Sequence, residues 1–107
     1  MASLSPKLRS YGAHNEGIVH WCPACDEAHV FHITMPNSNG ARWTWDGNVE
    51  APTFTPSMNI RVNFAPEDGG PIVCHYFLRA GRIEFLGDCT HALRGQTVPL
   101  PDWPGPP

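Results

Sequence analysis

The chain is nearly without lysine: Lys7 stands alone, and the six arginines (Arg9, Arg42, Arg61, Arg79, Arg82 and Arg94) are scattered. There is no basic run, and the formal net charge is −3. A surface that tracks nucleic-acid phosphates rests on clustered Lys and Arg, so the composition argues against a nucleic-acid partner. Base stacking on Trp43, Trp45 and Phe54 would tolerate any sequence, but the acidic balance opposes that too. No apolar run approaches the roughly 20 residues that span a bilayer. The opening stretch MASLSPKLRS has no signal-peptide apolar region. The expected setting is therefore the cytoplasm, where thiols stay reduced. A phosphate-cradling loop is also missing, since Asp68-Gly69-Gly70-Pro71 lacks the flanking strand and helix.

What the chain has is cysteine and histidine in company. Cys22-Pro-Ala-Cys25 is a tight knuckle that can aim two sulfurs at one metal ion. Cys74 and Cys89 lie far downstream, with His75 and His91 close by. In a reducing compartment this pattern favours metal over disulfides. Structural zinc takes four ligands, mostly sulfur with some imidazole. Cys22, Cys25, Cys74 and Cys89 would close such a site, with His75 or His91 as substitutes for the neighbouring cysteine. A redox role for the knuckle would require it to open a helix, but the residues after it are strand-like.

A length of 107 residues reads as one domain with a small core, which a metal cross-link would help to hold. Gly and Pro number 10 and 12, which argues for short strands and many turns. The expected fold is mainly β: a small zinc-ribbon-like domain or a β-sandwich, with short hairpins and at most one short helical turn. Residues 1–16 read as an N-terminal arm or edge strand, 17–100 as the zinc-stabilised β domain, and 101–107 as a Pro-rich tail. Within the domain, residues 17–34 form a hairpin interrupted by the knuckle, and 42–45 form a strand. Residues 58–64 alternate like a half-buried strand, 90–94 suit the helical turn, and Trp103 is placed to fold back onto the domain.

Ile72–Leu78 and Arg82–Leu86 make the clearest hairpin. A two-residue turn at Ala80-Gly81 pairs Arg79 with Arg82, Leu78 with Ile83 and Tyr76 with Phe85. It gathers Cys74, Tyr76, Leu78, Ile83, Phe85 and Cys89 on an apolar face and leaves His75 on the charged one. The rival is a bulged three-residue turn, easier for Ala80 but mixing apolar and charged residues. It would bring His75, not Cys74, beside Cys89.

Catalytic constellations are sparse. His29, His75 and His91 could line a second metal or a catalytic pocket, or hold a cysteine ligand in place. Asp88 is suitably near to orient an imidazole. Thr53, Thr55 and Ser57 offer hydroxyls with no base in evidence.

The segments Cys22-Pro-Ala-Cys25-Asp-Glu-Ala-His29, Trp45-Asp-Gly47, Pro52-Thr-Phe-Thr-Pro-Ser57, Cys74-His-Tyr-Phe77 and Phe85 to Leu100 resemble a group of small proteins from bacteriophages, prophages and bacteria. The resemblance covers roughly residues 20–103. It implies that Cys22, Cys25, His29, Cys74, His75, Cys89 and His91 belong to the family pattern, and a host cytoplasm if the chain is phage-encoded. Many relatives carry the label "ammonia monooxygenase". That chemistry belongs to a large membrane-bound copper enzyme and does not fit thiol-rich, zinc-like ligands. The leading expectation is a phage-type zinc-binding module that engages another protein and modulates a host process such as defence. The alternative is a zinc-dependent hydrolase with His29, His75 or Asp88 as acid or base.

Overall fold

A computed structural model describes residues 1–105; the last two residues of the Pro-rich tail lie outside the described part. Among the described residues, eight strands form two antiparallel sheets. The first sheet holds β1 (Arg9–Tyr11), β2 (Gly17–Cys22) and β3 (Glu27–His32) in that order. The second holds β4 (Thr44–Trp45), β5 (Phe54–Val62), β6 (Ile72–Arg79), β7 (Arg82–Phe85) and β8 (Thr97–Pro99), again in chain order. The mainly β expectation holds. The helical turn occurs at Pro66–Asp68 and not within 90–94, where the chain makes plain turns. Thr90 does not cap a helix, because its Oγ1 accepts the Val73 N–H at 3.0 Å.

The sheets share one core. Ile18, Cys22 and Phe31 from the first meet Phe54, Met58, Cys74, Tyr76, Leu78, Ile83 and Phe85 from the second. The Phe31 and Phe54 rings stack at 4.1 Å and join the two layers. Burial alternates along β6, with Val73 and Cys74 both covered at its start and then Tyr76 and Leu78. That period of two is what a sheet with one solvated face requires. Removing such side chains from water, at about 25 cal/mol per Å², is the main force holding the layers together.

The β6–β7 register is the two-residue one: Tyr76↔Phe85, Leu78↔Ile83 and Arg79↔Arg82. Ala80 and Gly81 both have positive φ, at 49° and 74°. A left-handed alanine costs roughly 1–2 kcal/mol. Three hydrogen bonds brace the turn against that cost: Ala80 N–H to Thr53 Oγ1 at 2.8 Å, Gly81 N–H to the Pro52 carbonyl at 3.0 Å, and Leu100 N–H to the Gly81 carbonyl at 2.9 Å.

Residues 43–45 stitch the sheets together at one corner. Trp43 N–H donates to the His32 carbonyl at 2.8 Å, while Thr44 and Trp45 pair with Thr55 and Phe54. Beyond that corner no strand among the described residues lies between β3 and β5. The tail does return to the domain: Trp103 N–H donates to the Pro6 carbonyl at 2.8 Å, and its ring lies edge-on to Trp21. Buried Arg9 places its guanidinium 5.5 Å from the Trp103 ring centre.

Candidate functional site

Two groups of chemically active side chains flank β6, one on each face. The first lies in the core. Cys22 ends β2, and the knuckle carries the chain through Asp26, at φ 53°, into β3. An Asp tolerates this left-handed corner better than most residues. Cys25 N–H points at the Cys22 sulfur at 3.4 Å, the inward-curled form that a CxxC adopts around a metal. The Cys22 and Cys74 sulfurs lie 3.9 Å apart. Sulfurs at about 2.3 Å from a tetrahedral zinc would stand about 3.8 Å apart. Donor atoms of Cys22, His29 and Cys74 all lie within 4.8 Å of one another, as do those of Cys25, Glu27 and His29. His29 belongs to both sets and so links Cys22, Cys74 and Cys25 into one cluster, with Glu27 Oε1 at 3.3 Å from its Nε2. This cluster is compatible with a metal ion.

Its electrostatics ask for a cation. Hydrogen bonding to Cys74 draws the Cys22 thiol down to about 5, while burial pushes Cys25 up to about 11. Cys74 is driven up by its hydrogen bond to Cys22 and by burial. One sulfur ionises readily and the others then resist. A bound divalent ion would supply the positive charge that lets all three become thiolates. No disulfide joins them, since all four cysteines are free. A polar chain backs His29: its Nδ1 meets Tyr76 Oη at 3.0 Å, and Tyr76 Oη meets His20 Nε2 at 2.6 Å. Burial, aided by His29, lowers His20 to about 3 and keeps it neutral. This is the kind of partner that fixes the orientation of a ligating imidazole.

Cys89 is elsewhere. Its sulfur accepts the His75 N–H at 3.2 Å and faces the His75 carbonyl at 3.1 Å. It therefore replaces a strand partner where β7 has ended. His91 also points away: its Nδ1 accepts the Leu93 N–H at 3.2 Å and its ring lies edge-on to Phe85.

The second group lies on the outer face of the second sheet. Strand alternation turns His75 outward where Cys74 turns inward. Asn59 is the direct partner of His75, and Ser57 sits two residues before it on β5. A bulge separates the pairs Phe54↔Leu78 and Met58↔Tyr76, so Thr55, Pro56 and Ser57 oppose Phe77 alone. Bulges re-aim side chains. Here Ser57 Oγ reaches His75 Nε2 at 3.1 Å. On the other side of the ring, Nδ1 meets Asp88 Oδ2 at 3.0 Å and Oδ1 at 3.2 Å. Asp88 is delivered by residues 86–90, fastened to β6 where Leu86 N–H donates to the His75 carbonyl at 2.9 Å and Thr90 N–H to the Val73 carbonyl at 3.0 Å. The hydrogen bond from His75 holds the Asp88 carboxyl below its usual value.

A hydroxyl, an imidazole and a carboxylate joined in this order form a chain that can activate a nucleophile. The carboxylate orients Nδ1–H, which leaves Nε2 as acceptor for the serine proton. Sequence reasoning named His75 and Asp88 but found no base for Ser57. The missing link is a pairing across strands that only the β5–β6 register and its bulge reveal.

The fold and this arrangement define a small two-sheet β protein carrying a Ser–His–Asp chain beside a thiol–imidazole cluster. The chain belongs to the family described as "bacterial ubiquitination-like system serine protease (BubE)", whose model matches residues 3–86. Ser57, His75 and the four clustered donors fall inside the match, and Asp88 lies two residues beyond it. No curated protein and no solved structure matches the chain.

Proposed function

We propose that the protein is a serine hydrolase that cleaves peptide bonds of another protein, with Ser57 as nucleophile, His75 as general base and acid, and Asp88 orienting the imidazole. The observation that carries this reading is the unbroken contact from Ser57 Oγ through His75 to Asp88, at 3.1 and 3.0 Å. The family description supports it, and it points to a ubiquitin-like system as the setting and to protein partners. Ser57 Oγ attacks the scissile carbonyl while its proton passes to His75 Nε2. The tetrahedral adduct collapses, the C–N bond breaks, and His75 returns the proton to the leaving amine. Water then repeats the sequence on the acyl-serine ester, releasing the acid and restoring Ser57.

In this reading zinc holds the fold and does no chemistry. Cys22, Cys25, Cys74 and His29 would be its ligands, with Cys89 serving His75 instead. Four protein ligands would leave no open position for a reactive water, which sets aside the zinc-dependent hydrolase. A phage-type module acting on a host process stays compatible with the scheme, with protein binding now serving cleavage.

The test is hydrolysis of p-nitrophenyl acetate by the purified chain. Ser57→Ala should lower the rate roughly 10⁴-fold or more and leave the melting temperature within about a degree. An unchanged rate in Ser57→Ala would reject Ser57 as nucleophile.

A further inference from the structure

Ser57 lines a groove of about 950 Å³ that runs between β3 and β5. Its banks are two strand edges, and the backbone directions on both can be worked out. Ile33 N–H donates to the Glu16 carbonyl at 2.8 Å, so Ile33 faces β2. His32 instead gives its carbonyl to Trp43, away from β2. Alternation along an antiparallel strand then turns Val30 and Ala28 away from β2 as well, each with both N–H and C=O toward the groove. On the opposite bank, His75 spends its N–H on Cys89 and its carbonyl on Leu86, both on the side away from β5. Asn59, directly across from it, is therefore turned outward too. Trp43 closes one end of the groove: its Nε1–H donates to the Ser57 carbonyl at 3.2 Å.

Two facing edges with unspent donors and acceptors form a template for one more strand. What satisfies both is the backbone of an extended chain, not a helix or a folded surface. We infer that the groove takes an extended, unstructured peptide segment as an added strand between Val30/Ala28 and Asn59, which lays its scissile carbonyl at Ser57 Oγ. This rests on the serine-hydrolase reading and deepens it. Backbone pairing supplies the affinity, as in other strand-addition sites. The substrate is thus a chain terminus or loose loop of a partner protein. The segment continues the line of β4, which already pairs with β5 at Thr44↔Thr55.

The variant Val30→Pro tests it. Proline at an outward-facing edge position removes no ladder hydrogen bond, yet it deletes a donor the added strand needs. The probes are p-nitrophenyl acetate and a mixed library of acetylated decapeptides read by mass spectrometry. The expected result is cleavage of a subset of the library by the native protein, at least tenfold less cleavage by Val30→Pro, and ester hydrolysis by the variant within twofold of native. A second measurement leaves the protein untouched. The best-cleaved decapeptide is remade with single N-methylated amides, and losses of tenfold or more should recur at every second position near the cut. Ester hydrolysis with no decapeptide cleaved, Val30→Pro cutting peptides normally, or N-methylation tolerated throughout would each overturn the groove. Absence of ester hydrolysis in the native protein would instead reject the nucleophile itself.

Discussion

Cys74 and His75 are neighbours on β6, and they stand in opposite environments. Cys74 is buried against Cys22, in a cluster closed by His29 and Cys25. His75 is part-exposed, linking a half-buried serine to a carboxylate that is mostly in water. The same strand serves both because its side chains alternate. The inner face collects groups that a cation would lock together, and the outer face holds the groups proposed to meet a substrate. Anchoring Cys74 therefore also fixes the backbone that presents His75. A chain this short has little core to spare, and a metal held by the cluster would stiffen it directly behind the proposed nucleophile and base.

The two faces of β6 can be disabled separately. The largest effect should come from the inner face. Cys22→Ser or Cys25→Ser should release the metal, about one zinc per chain by elemental analysis, and unfold the domain, because structural zinc binding is coupled to folding. If either variant keeps its melting temperature, the cluster does not hold the fold. On the outer face, Asp88→Asn should keep zinc and stability and reduce ester hydrolysis by roughly 10²-fold. Loss of a buried triad carboxylate costs about 10⁴-fold, and solvent around Asp88 lessens its share. A fall of less than about threefold would remove Asp88 from the chain of contacts.

Cys89 sharpens the boundary between the faces, with the smallest effect. As a clamp on the His75 backbone, its replacement in Cys89→Ala should leave zinc in place and slow hydrolysis about tenfold. Cys89→Ser, which keeps a donor and an acceptor, should recover most of the rate. Loss of zinc in Cys89→Ala would return this residue to the ligand set.

These differences also mark what could be read from the chain. The Cys-Pro-x-Cys knuckle and the Ala80-Gly81 hairpin are local, so spacing and alternation were enough to place Cys74 inside and His75 outside. That His29 lies among Cys22, Cys25 and Cys74 while Cys89 contacts the His75 backbone was not legible. It depends on how the first sheet packs over the second, and no short-range pattern encodes that. Ser57 was harder still. Its link to His75 spans two strands whose register shifts at a bulge between Phe54 and Met58, and nothing in the sequence marks where that shift falls. The helical turn expected at 90–94 failed for a related reason: Thr90, a good cap by type, is committed to β6.

Ser57 is the nucleophile on which the proposed chemistry depends. Treatment of the zinc-replete protein with a fluorophosphonate, followed by intact mass and peptide mapping, tests this without any knowledge of the substrate. The predicted result is a single adduct on Ser57, strongly diminished in His75→Ala although that variant retains its zinc. A folded protein that takes up no label, or takes it elsewhere than Ser57, would contradict it.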